Sequence, residues 1–326
     1  MAVSNTFVRT VLGDIRPEEV GFAHCHEHAF LLPGPSSQVD DTLLLDDLDR
    51  TAAELADFHA AGGRTIVDAQ PIGQERSPRM QIEASRKSGV HIVATTGLHR
   101  SRYYPADHFR FRETPDALAG RMIEEVTRGM GEYSGSRAVR TSKARAGLLK
   151  FATEYHLVDA ESQRAAEAVA IAQQQTGAPV LTHTERGTCA LQQIALMERF
   201  GVPASTMLIS HLDRNPDVYL HEDVAAAGAY IVYDGISRVK YYPDSTIVEL
   251  ICRMVDSGHA GKVLLAMDMG SRTMWRHYGG GPGMTYLAEV FLPKLRRAGL
   301  DQQQIDLFTV HNPSVALSFR QPDLKE

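Results

Sequence analysis

The stretch Gly21-Phe-Ala-His-Cys-His-Glu-His28 decides how the rest of the sequence is interpreted. It places three histidines at alternating positions of a short segment, namely His24, His26 and His28. A β-strand has a side-chain period of two, so we expect the three imidazoles to share one face of a strand. Two imidazoles one pleat apart at a strand end can bind one metal ion. The alternative is a surface strand that happens to carry histidines, and only the context in the remaining chain can decide between them.

The composition bounds the class of protein. Of 326 residues, 43% are hydrophobic and 23% are charged, which fits a soluble globular protein. The formal net charge is -6, so we expect neither a strongly basic face nor a nucleic-acid partner. The chain has three cysteines, a small and odd number that does not indicate a disulfide framework. The first seven residues lack a secretory signal and no apolar run is long enough to cross a membrane, so we expect a cytoplasmic location.

Strand-like apolar segments alternate with amphipathic helical stretches along the chain. After a first strand at residues 21–26, the strand-like segments are Thr65–Asp68, His91–Thr95, Ala146–Phe151, Pro179–His183, Thr206–His211, Ala229–Tyr233 and Val263–Asp268. The helical stretches include Thr42–Ala60, Ala160–Gln175, Thr188–Phe200, Asp244–Asp256 and Met284–Arg297. Eight units of this kind predict an α/β fold, a (β/α)8 TIM barrel in one domain spanning residues 1–326. The alternative is an open doubly wound sheet, but no glycine-rich fingerprint follows the first strand.

Most of these apolar segments end in a polar side chain that can bind a metal ion or take part in catalysis. The residues at or just beyond those ends are His26, His28, Lys150, His183, His211 and Asp268. A barrel brings its strand ends together around one axis, and the loops that follow the strands form its catalytic face. The two longest irregular stretches, Leu98–Pro115 and Gly270–Gly283, both follow predicted strands. We therefore expect one site built from residues that lie far apart in the sequence.

Four imidazoles and a carboxylate are ligands suited to zinc and its neighbours in the first transition row. A lysine ammonium cannot bind a cation, so Lys150 fits such a site only if carbon dioxide converts it to an anionic carbamate. The alternative for Lys150 is a strand-end lysine that reaches out to water. We expect Cys25 to lie on the face of its strand opposite the ligands and to pack there rather than to take part in the reaction.

These motifs together resemble the phosphotriesterase-like family of the amidohydrolase superfamily. The resemblance rests on Gly-Phe-x-His-Cys-His-Glu-His, Leu-Leu-Lys-Phe-Ala, Leu-Thr-His-Thr, Ile-Ser-His-Leu-Asp and Met-Asp, and it extends from Thr10 to Pro313. It implies a distorted barrel and two divalent ions of the zinc class, with manganese, cobalt or iron as alternatives. A homodimer is common in that family, so the resemblance allows one here.

The resemblance also implies a role for each matching residue. His26, His28 and Asp268 would bind the more buried ion, and His183 and His211 the more exposed one. Carboxylated Lys150 and a hydroxide would bridge the two ions. The hydroxide would attack the substrate, and Asp268 would carry the proton to the leaving group as a general base and acid. His24 lies outside this ligand set, and a packed interior position is expected for it.

Two loops indicate the substrate. Arg238, Lys240, Arg272 and Arg276 place four cations in the loops after strands seven and eight, which suits an anionic substrate group. Ordinary solvated surface charge is the alternative. These loops resemble the phosphorylated sugar lactonases, although Ser271 stands where the resemblance requires an arginine and Met274 or Trp275 where it requires a tyrosine. Tyr103, after strand three, is a further candidate for the pocket wall.

Three functions remain open at this stage. The first is a metal-dependent lactonase acting on a small, sugar-derived and anionic lactone, with or without a phosphate. The second is a phosphotriesterase or aryl ester hydrolase with the same metal centre, for which the cationic loops would have no use. The third is a barrel that binds a metal or ligand without catalysis, because a fold alone does not establish an activity.

Overall fold

The computed structural model describes residues 6–134 and 137–320, and within them eight parallel strands form a nearly closed barrel. We number them β1–β8: Phe22–Glu27, Gly63–Asp68, His91–Gly97, Leu148–Ala152, Val180–His183, Met207–Ser210, Tyr230–Tyr233 and Val263–Leu265. Their order in the sheet follows their order in the chain. The segment after β8 meets β1, because the Asp268 N–H donates to the His26 carbonyl at 3.0 Å. The predicted TIM barrel is confirmed.

Helices surround this barrel. We number the main ones α1–α8: Leu48–Ala60, Pro78–Ser88, Pro115–Thr127, Ala160–Thr176, Ala190–Arg199, Val218–Ala226, Asp244–Asp256 and Leu292–Arg297. Shorter helical segments are Pro35–Val39, Leu287–Phe291, Gln302–Asp306, Leu307–His311 and Asn312–Ala316. Two antiparallel hairpins pair Val8–Thr10 with Gly13–Ile15 and Gly131–Ser134 with Arg137–Thr141. No described helix is both long enough and apolar enough to span a bilayer.

The barrel has two separate apolar cores. One lies between the strands and the helices, and the other fills the barrel interior. The interior core takes a side chain from nearly every strand, as in other (β/α)8 barrels, including Cys25, Val67, Leu148, Leu181, Leu208 and Leu264. Cys25 is fully buried there, as predicted, and burial raises the pKa of its thiol. Both faces of each strand are therefore covered, which explains the near-continuous apolar sequence of the strands.

The expectation that three histidines share one face of β1 is wrong. His24 packs outward against Phe58 of α1, with ring centroids 4.6 Å apart, whereas His26 lines the cavity at the strand ends. The cause is an irregularity in pairing: His24 lies opposite Ile66, but Glu27, three residues on, lies opposite Asp68. One extra residue in a strand reverses which face the later side chains occupy. The separate expectation that His24 is a packed interior histidine is confirmed, since it is fully buried.

Two buried glutamates fasten the regions around the last strand. Glu27 accepts the N–H groups of Met267 and Met269, each at 2.8 Å, across the seam between β1 and the segment after β8. Glu54 of α1 accepts the N–H groups of His277 and Met284, at 3.0 and 2.8 Å. Each carboxylate thus satisfies two backbone donors that no neighbouring strand or helix reaches. The same helix also contacts the loop through Thr51, whose hydroxyl lies 2.9 Å from that of Tyr278.

Element boundaries differ from the sequence prediction mainly at helix ends. The first helix begins at Leu48 rather than at residue 42, because the Asp47 side chain accepts the N–H groups of the first turn and caps the helix there. The predicted stretch 284–297 is divided into a π-helical segment, Leu287–Phe291, and α8, whose second residue is Pro293. A proline has no N–H to donate, so regular α-helical bonding is interrupted at that point. The prediction about a secretory signal rests partly on residues 1–5, which lie outside the described residues.

Candidate metal centre

One cavity of about 610 Å³ opens at the carboxyl ends of the barrel strands. All six residues identified at strand ends line it: His26, His28, Lys150, His183, His211 and Asp268. They come from β1, β4 and β5 and from the segments that immediately follow β1, β6 and β8. The barrel therefore brings the six side chains together, although the chain separates the first from the last by more than two hundred residues.

His26 of β1 and His28, just beyond the end of that strand, converge on one carboxylate. Asp268 Oδ1 lies 3.3 Å from His28 Nε2 and 3.8 Å from His26 Nε2. Nitrogen and oxygen ligands about 2.1 Å from a tetrahedral zinc ion are roughly 3.4 Å from one another. The three potential ligand atoms thus have a spacing that fits a single transition-metal ion.

The other two histidines face each other. His183 Nδ1 lies 2.8 Å from His211 Nε2, and both rings are buried. Burial lowers the pKa of His183 to about 4 and that of His211 well below its ordinary value. Both imidazoles are therefore neutral at physiological pH, which is the form that binds metal ions.

All four imidazoles place their second nitrogen beside an oxygen. The outer nitrogens of three rings lie beside oxygens that can only accept: Gln70 Oε1 for His28 (2.5 Å), Asp234 Oδ1 for His211 (2.7 Å) and Glu185 Oε2 for His183 (3.2 Å). The outer nitrogen of His26 lies 2.8 Å from Ser210 Oγ and 3.2 Å from the acceptor Asp234 Oδ2. A ring that donates through one nitrogen has a lone pair on the other, and here that lone pair points towards the cavity. Such outer partners are the usual supports of metal-binding histidines. Two lone pairs facing each other at 2.8 Å, as between His183 and His211, are stabilised when a cation lies between or beside them.

Lys150 is buried rather than extended into solvent, being only 1% exposed. This excludes the alternative that it reaches out to water. Its Nζ donates to the Ala69 carbonyl at 2.7 Å, and burial lowers its pKa from 10.5 to about 8. A larger fraction of uncharged amine favours reaction with carbon dioxide, so the residue fits a carbamate. The backbone of Gly97 in β3 lies so close that a Cβ there would be 2.1 Å from the Lys150 carbonyl oxygen.

Asp268 is also bound by two arginines that sequence reasoning gave no such role. Arg214 and Arg238 both donate to Asp268 Oδ2, and Arg238 donates to its carbonyl as well. Burial raises the pKa of the Asp268 carboxyl, but these guanidinium groups outweigh burial and hold it well below its ordinary value. Asp268 is therefore ionised at neutral pH. Arg214 lies three residues beyond His211, within the same post-strand segment.

The structure separates the four residues proposed to bind substrate. Arg238, Lys240 and Tyr103 line the cavity, with the Lys240 ammonium 5.2 Å from the centre of the Tyr241 ring. Arg272 instead pairs with Asp41 at 3.0 Å on the exposed rim. Arg276, the fourth loop cation, donates to Thr285 at 3.0 Å.

His99 is a cavity residue that sequence reasoning missed. Its ring stacks on Tyr103 with centroids 5.0 Å apart and meets His183 edge to face at 4.7 Å. Burial holds the pKa of His99 well below its ordinary value, and its Nδ1 is buried without a hydrogen-bond partner among the described residues. His99 lies two residues beyond the end of β3. The rule that polar residues at strand ends form the site, applied to the third strand, would therefore have identified it. The same rule would have found Gln70, Glu185 and Asp234.

Comparison with known proteins assigns this arrangement to a family. Residues 6–317 match the phosphotriesterase family. The chain is 35% identical over 326 residues to a phospho-furanose lactonase of Mycoplasmopsis agalactiae, covering 97% of this chain and 92% of that protein. It is 28% identical to the phosphotriesterase homology protein of Escherichia coli over 299 residues, 91% of this chain and 98% of that protein.

Solved structures agree. A lactonase from Listeria monocytogenes superimposes with a TM-score of 0.90 at 31% identity, covering 97% of this chain and all of that one. An amidohydrolase from Mycoplasma synoviae superimposes with a TM-score of 0.94 at 33% identity, covering 98% of this chain and 94% of that one. The chain is therefore a hydrolase and belongs to the phosphotriesterase family.

Proposed function

We propose that this protein is a binuclear metal-dependent lactonase that opens a small, sugar-derived lactone. The observation that carries the proposal is the orientation of the four histidines. Each has its outer nitrogen bound to an oxygen and its inner nitrogen directed at another member of the strand-end set. A cluster of four imidazoles beside an ionised carboxylate and a buried lysine suits two divalent cations.

The ligands divide into two groups by position. His26, His28 and Asp268 would hold the more buried ion, and His183 and His211 the more exposed one, with Lys150, as a carbamate, supplying a further anionic ligand. We propose zinc, for which manganese, cobalt or iron could substitute because they share these ligand types. Bound there, the ions would polarise the substrate carbonyl and lower the pKa of water to near neutrality.

The chain's own residues supply the proton transfer. Asp268 is ionised and lies at the centre of the ligand set, so it can accept a proton from the attacking water. It then returns that proton to the ring oxygen of the lactone as the carbon–oxygen bond breaks. Arg214 and Arg238 keep the carboxylate in a fixed orientation between these two transfers. No covalent enzyme intermediate is required.

The cavity wall supports an anionic substrate. Lys240 and Arg238, in the loop after β7, line the cavity, and Tyr103, after β3, also lines it. The phospho-furanose lactonase relative favours a phosphate on the lactone. In this chain, however, Ser271 stands where the resemblance requires an arginine, and Met274 or Trp275 stands where it requires a tyrosine. We therefore propose Lys240 and Arg238 as the contacts for a phosphate or carboxylate of the substrate.

The test is hydrolysis of a panel by the zinc- or manganese-loaded protein. The panel contains furanose lactones with and without a phosphate, lactones with a carboxylate, and aryl phosphotriesters. We expect an anionic lactone to give the highest kcat/KM, and K240A to raise KM for that lactone but not for an uncharged one. Faster turnover of phosphotriesters than of every lactone would replace the lactonase assignment with a phosphotriesterase. Absence of turnover for the whole panel would contradict catalysis at this site on ester substrates of these classes.

A further inference from the structure

The partner of His183 belongs to a larger ionic network. Glu185 Oε2 accepts from His183 Nε2 at 3.2 Å, and Arg100 donates to the same carboxylate oxygen. Arg100 also donates through Nε to Glu154 Oε2 at 2.7 Å. The Arg100 side chain is only 8% exposed, and each of the two glutamates is 24% exposed. A nearly buried guanidinium thus bridges two carboxylates, and only one of them contacts an imidazole of the ligand set.

The contact with Glu185 determines which nitrogen of His183 carries the hydrogen. An ionised carboxylate accepts only, so Nε2 must donate and Nδ1 must keep its lone pair. That Nδ1 is the atom that lies 2.8 Å from His211 Nε2. Arg100 donates to the same Glu185 oxygen, so this carboxylate is held as an acceptor beside His183.

The ionic network of Arg100, Glu154 and Glu185 reaches the ligand set through His183, which belongs to the more exposed proposed ion. His26 and His211 share a single outer carboxylate, because Asp234 lies 3.2 Å from His26 Nδ1 and 2.7 Å from His211 Nδ1. A change at Asp234 would therefore affect both proposed ions. Glu185 contacts His183 and no other member of the ligand set within the described ranges 6–134 and 137–320.

We propose that Glu185 is a positioning residue that fixes the tautomer and orientation of His183 for the more exposed ion, and that Arg100 holds Glu185 in place. The inference rests on the proposed function, since it needs two bound ions. Removal of such an outer partner typically weakens metal binding 10- to 100-fold. The loss should fall on one ion and leave the other unchanged.

The experiment compares E185A, E185Q and the matched control E154Q with the wild-type protein. Glu154 pairs with the same arginine but does not contact His183, so E154Q disturbs the network without removing the imidazole's partner. Zn²⁺ affinity is measured at both sites by competition with a chromogenic chelator, and Co²⁺ is loaded to record the visible absorption of each site. Thermal unfolding confirms that each variant is folded.

We expect E185A to bind one ion 10- to 100-fold more weakly than wild type, with an altered Co²⁺ spectrum for that site only. E185Q keeps an acceptor oxygen without the charge, so it should recover part of the affinity, and E154Q should stay within twofold of wild type. Equal affinity for both ions in E185A and wild type would overturn the inference while leaving the proposed function intact. Equal weakening in E154Q and E185Q would also overturn it. Failure of the wild-type protein to bind two ions would overturn the proposed function itself.

Discussion

The Asp268 carboxylate lies among four charged or metal-binding side chains of the site. Two imidazoles approach one of its oxygens and two guanidinium groups approach the other. Its backbone φ of 48° lies in the left-handed region, which is uncommon for a residue other than glycine. Strained backbone of this kind is frequent at functional sites, where the surrounding structure maintains it.

D268N should reduce turnover of the best lactone at least 100-fold, because an amide can neither accept the proton nor return it. The protein should remain folded, as circular dichroism would show. D49N is the control, since Asp49 is 83% exposed, pairs with Lys87 on the surface and is not among the residues that line the cavity. Full activity in D268N, with both ions bound, would show that proton transfer occurs elsewhere.

H99F tests the unpartnered imidazole of His99. Phenylalanine keeps an aromatic ring against Tyr103 and His183 but removes both ring nitrogens. We expect at least a tenfold loss of kcat/KM with no loss of stability, because a buried polar atom without a partner gives no stabilisation to the fold. Steady-state kinetics and thermal unfolding together measure this. Loss of stability with unchanged kcat/KM would mean that His99 only packs.

Among the elements of the barrel, two buried glutamates accept backbone N–H groups that would donate to a neighbouring strand in a regular sheet. Glu27 closes the seam next to β8, and Glu54 anchors the loop that follows it. Both are fully buried. Neither can be recognised as special from the sequence, because a glutamate in a strand or a helix is normally expected on the surface.

E27Q should lower the free energy of unfolding by roughly 2–4 kcal/mol, since the amide group of glutamine opposes one of two buried N–H donors. Urea unfolding followed by circular dichroism measures the change. E83Q, on the exposed side of α2, is the matched control and should stay within about 0.5 kcal/mol of wild type. A similar small effect in both variants would mean that the seam does not depend on Glu27.

Glu75, in the turn after β2, gives a pH dependence with a defined sign. Burial raises its pKa from 4.5 to about 6, and Oε2 has no hydrogen-bond partner among the described residues. The folded state therefore favours the protonated acid, so its contribution to stability is present below pH 4.5 and is lost as pH rises through 6. E75Q does not titrate, and its stability relative to wild type should increase by about 2 kcal/mol between pH 4 and pH 7. Parallel stability curves over this range would contradict the prediction.

The sequence predicted the ends of strands better than the faces of strands. An apolar run that stops at a histidine or aspartate marks a position along the barrel axis, and that position does not depend on register. The face of β1 depends on its register with β2, where one extra residue before Glu27 reverses the alternation. For that reason His183 and His211 could be placed from sequence, whereas His24 was placed on the wrong face.

At the scale of the whole molecule, the proposed ions connect elements that are distant in the chain. The six proposed ligand positions belong to five different strands or the segments after them, so a bound ion would restrain the barrel across its width. An ion that binds the folded protein alone stabilises it by about 2.7 kcal/mol when present at 100 times its dissociation constant. The metal centre is therefore expected to be a structural element as well as a catalytic one.

Removal of metal by a chelator should lower the unfolding temperature by roughly 5–15 °C, and zinc should restore it. Recovery of activity should be faster with bicarbonate than without, because Lys150 needs carbon dioxide to become a carbamate. K150M should bind zinc more weakly and show no effect of bicarbonate. Calorimetry and recovery assays measure these outcomes. A protein whose unfolding temperature is the same with chelator as with zinc would contradict the two-ion site.

The fold and the clustering of the six strand-end side chains could be predicted together because both depend on the same repeated unit, a strand that ends at one face of the barrel. The outer partners of the histidines could not be assigned, since Gln70, Glu185 and Asp234 acquire their roles only from three-dimensional distances. The ion-pair partners of the loop arginines could not be predicted from the sequence either. Arg238 is held by Asp268 and Arg272 by Asp41, and no spacing in the sequence indicates either pair.

The attachment of residues 270–283 to α1 has a consequence for protein engineering. Glu54 and Thr51 on that helix, together with the Asp47 carbonyl that accepts from Tyr278, hold the loop that borders the substrate cavity. A chimera that imports this loop from a relative without the matching helix would leave buried carboxylates and amides mismatched. Exchange of substrate preference by recombination should therefore succeed when the loop and α1 are transplanted as one cassette.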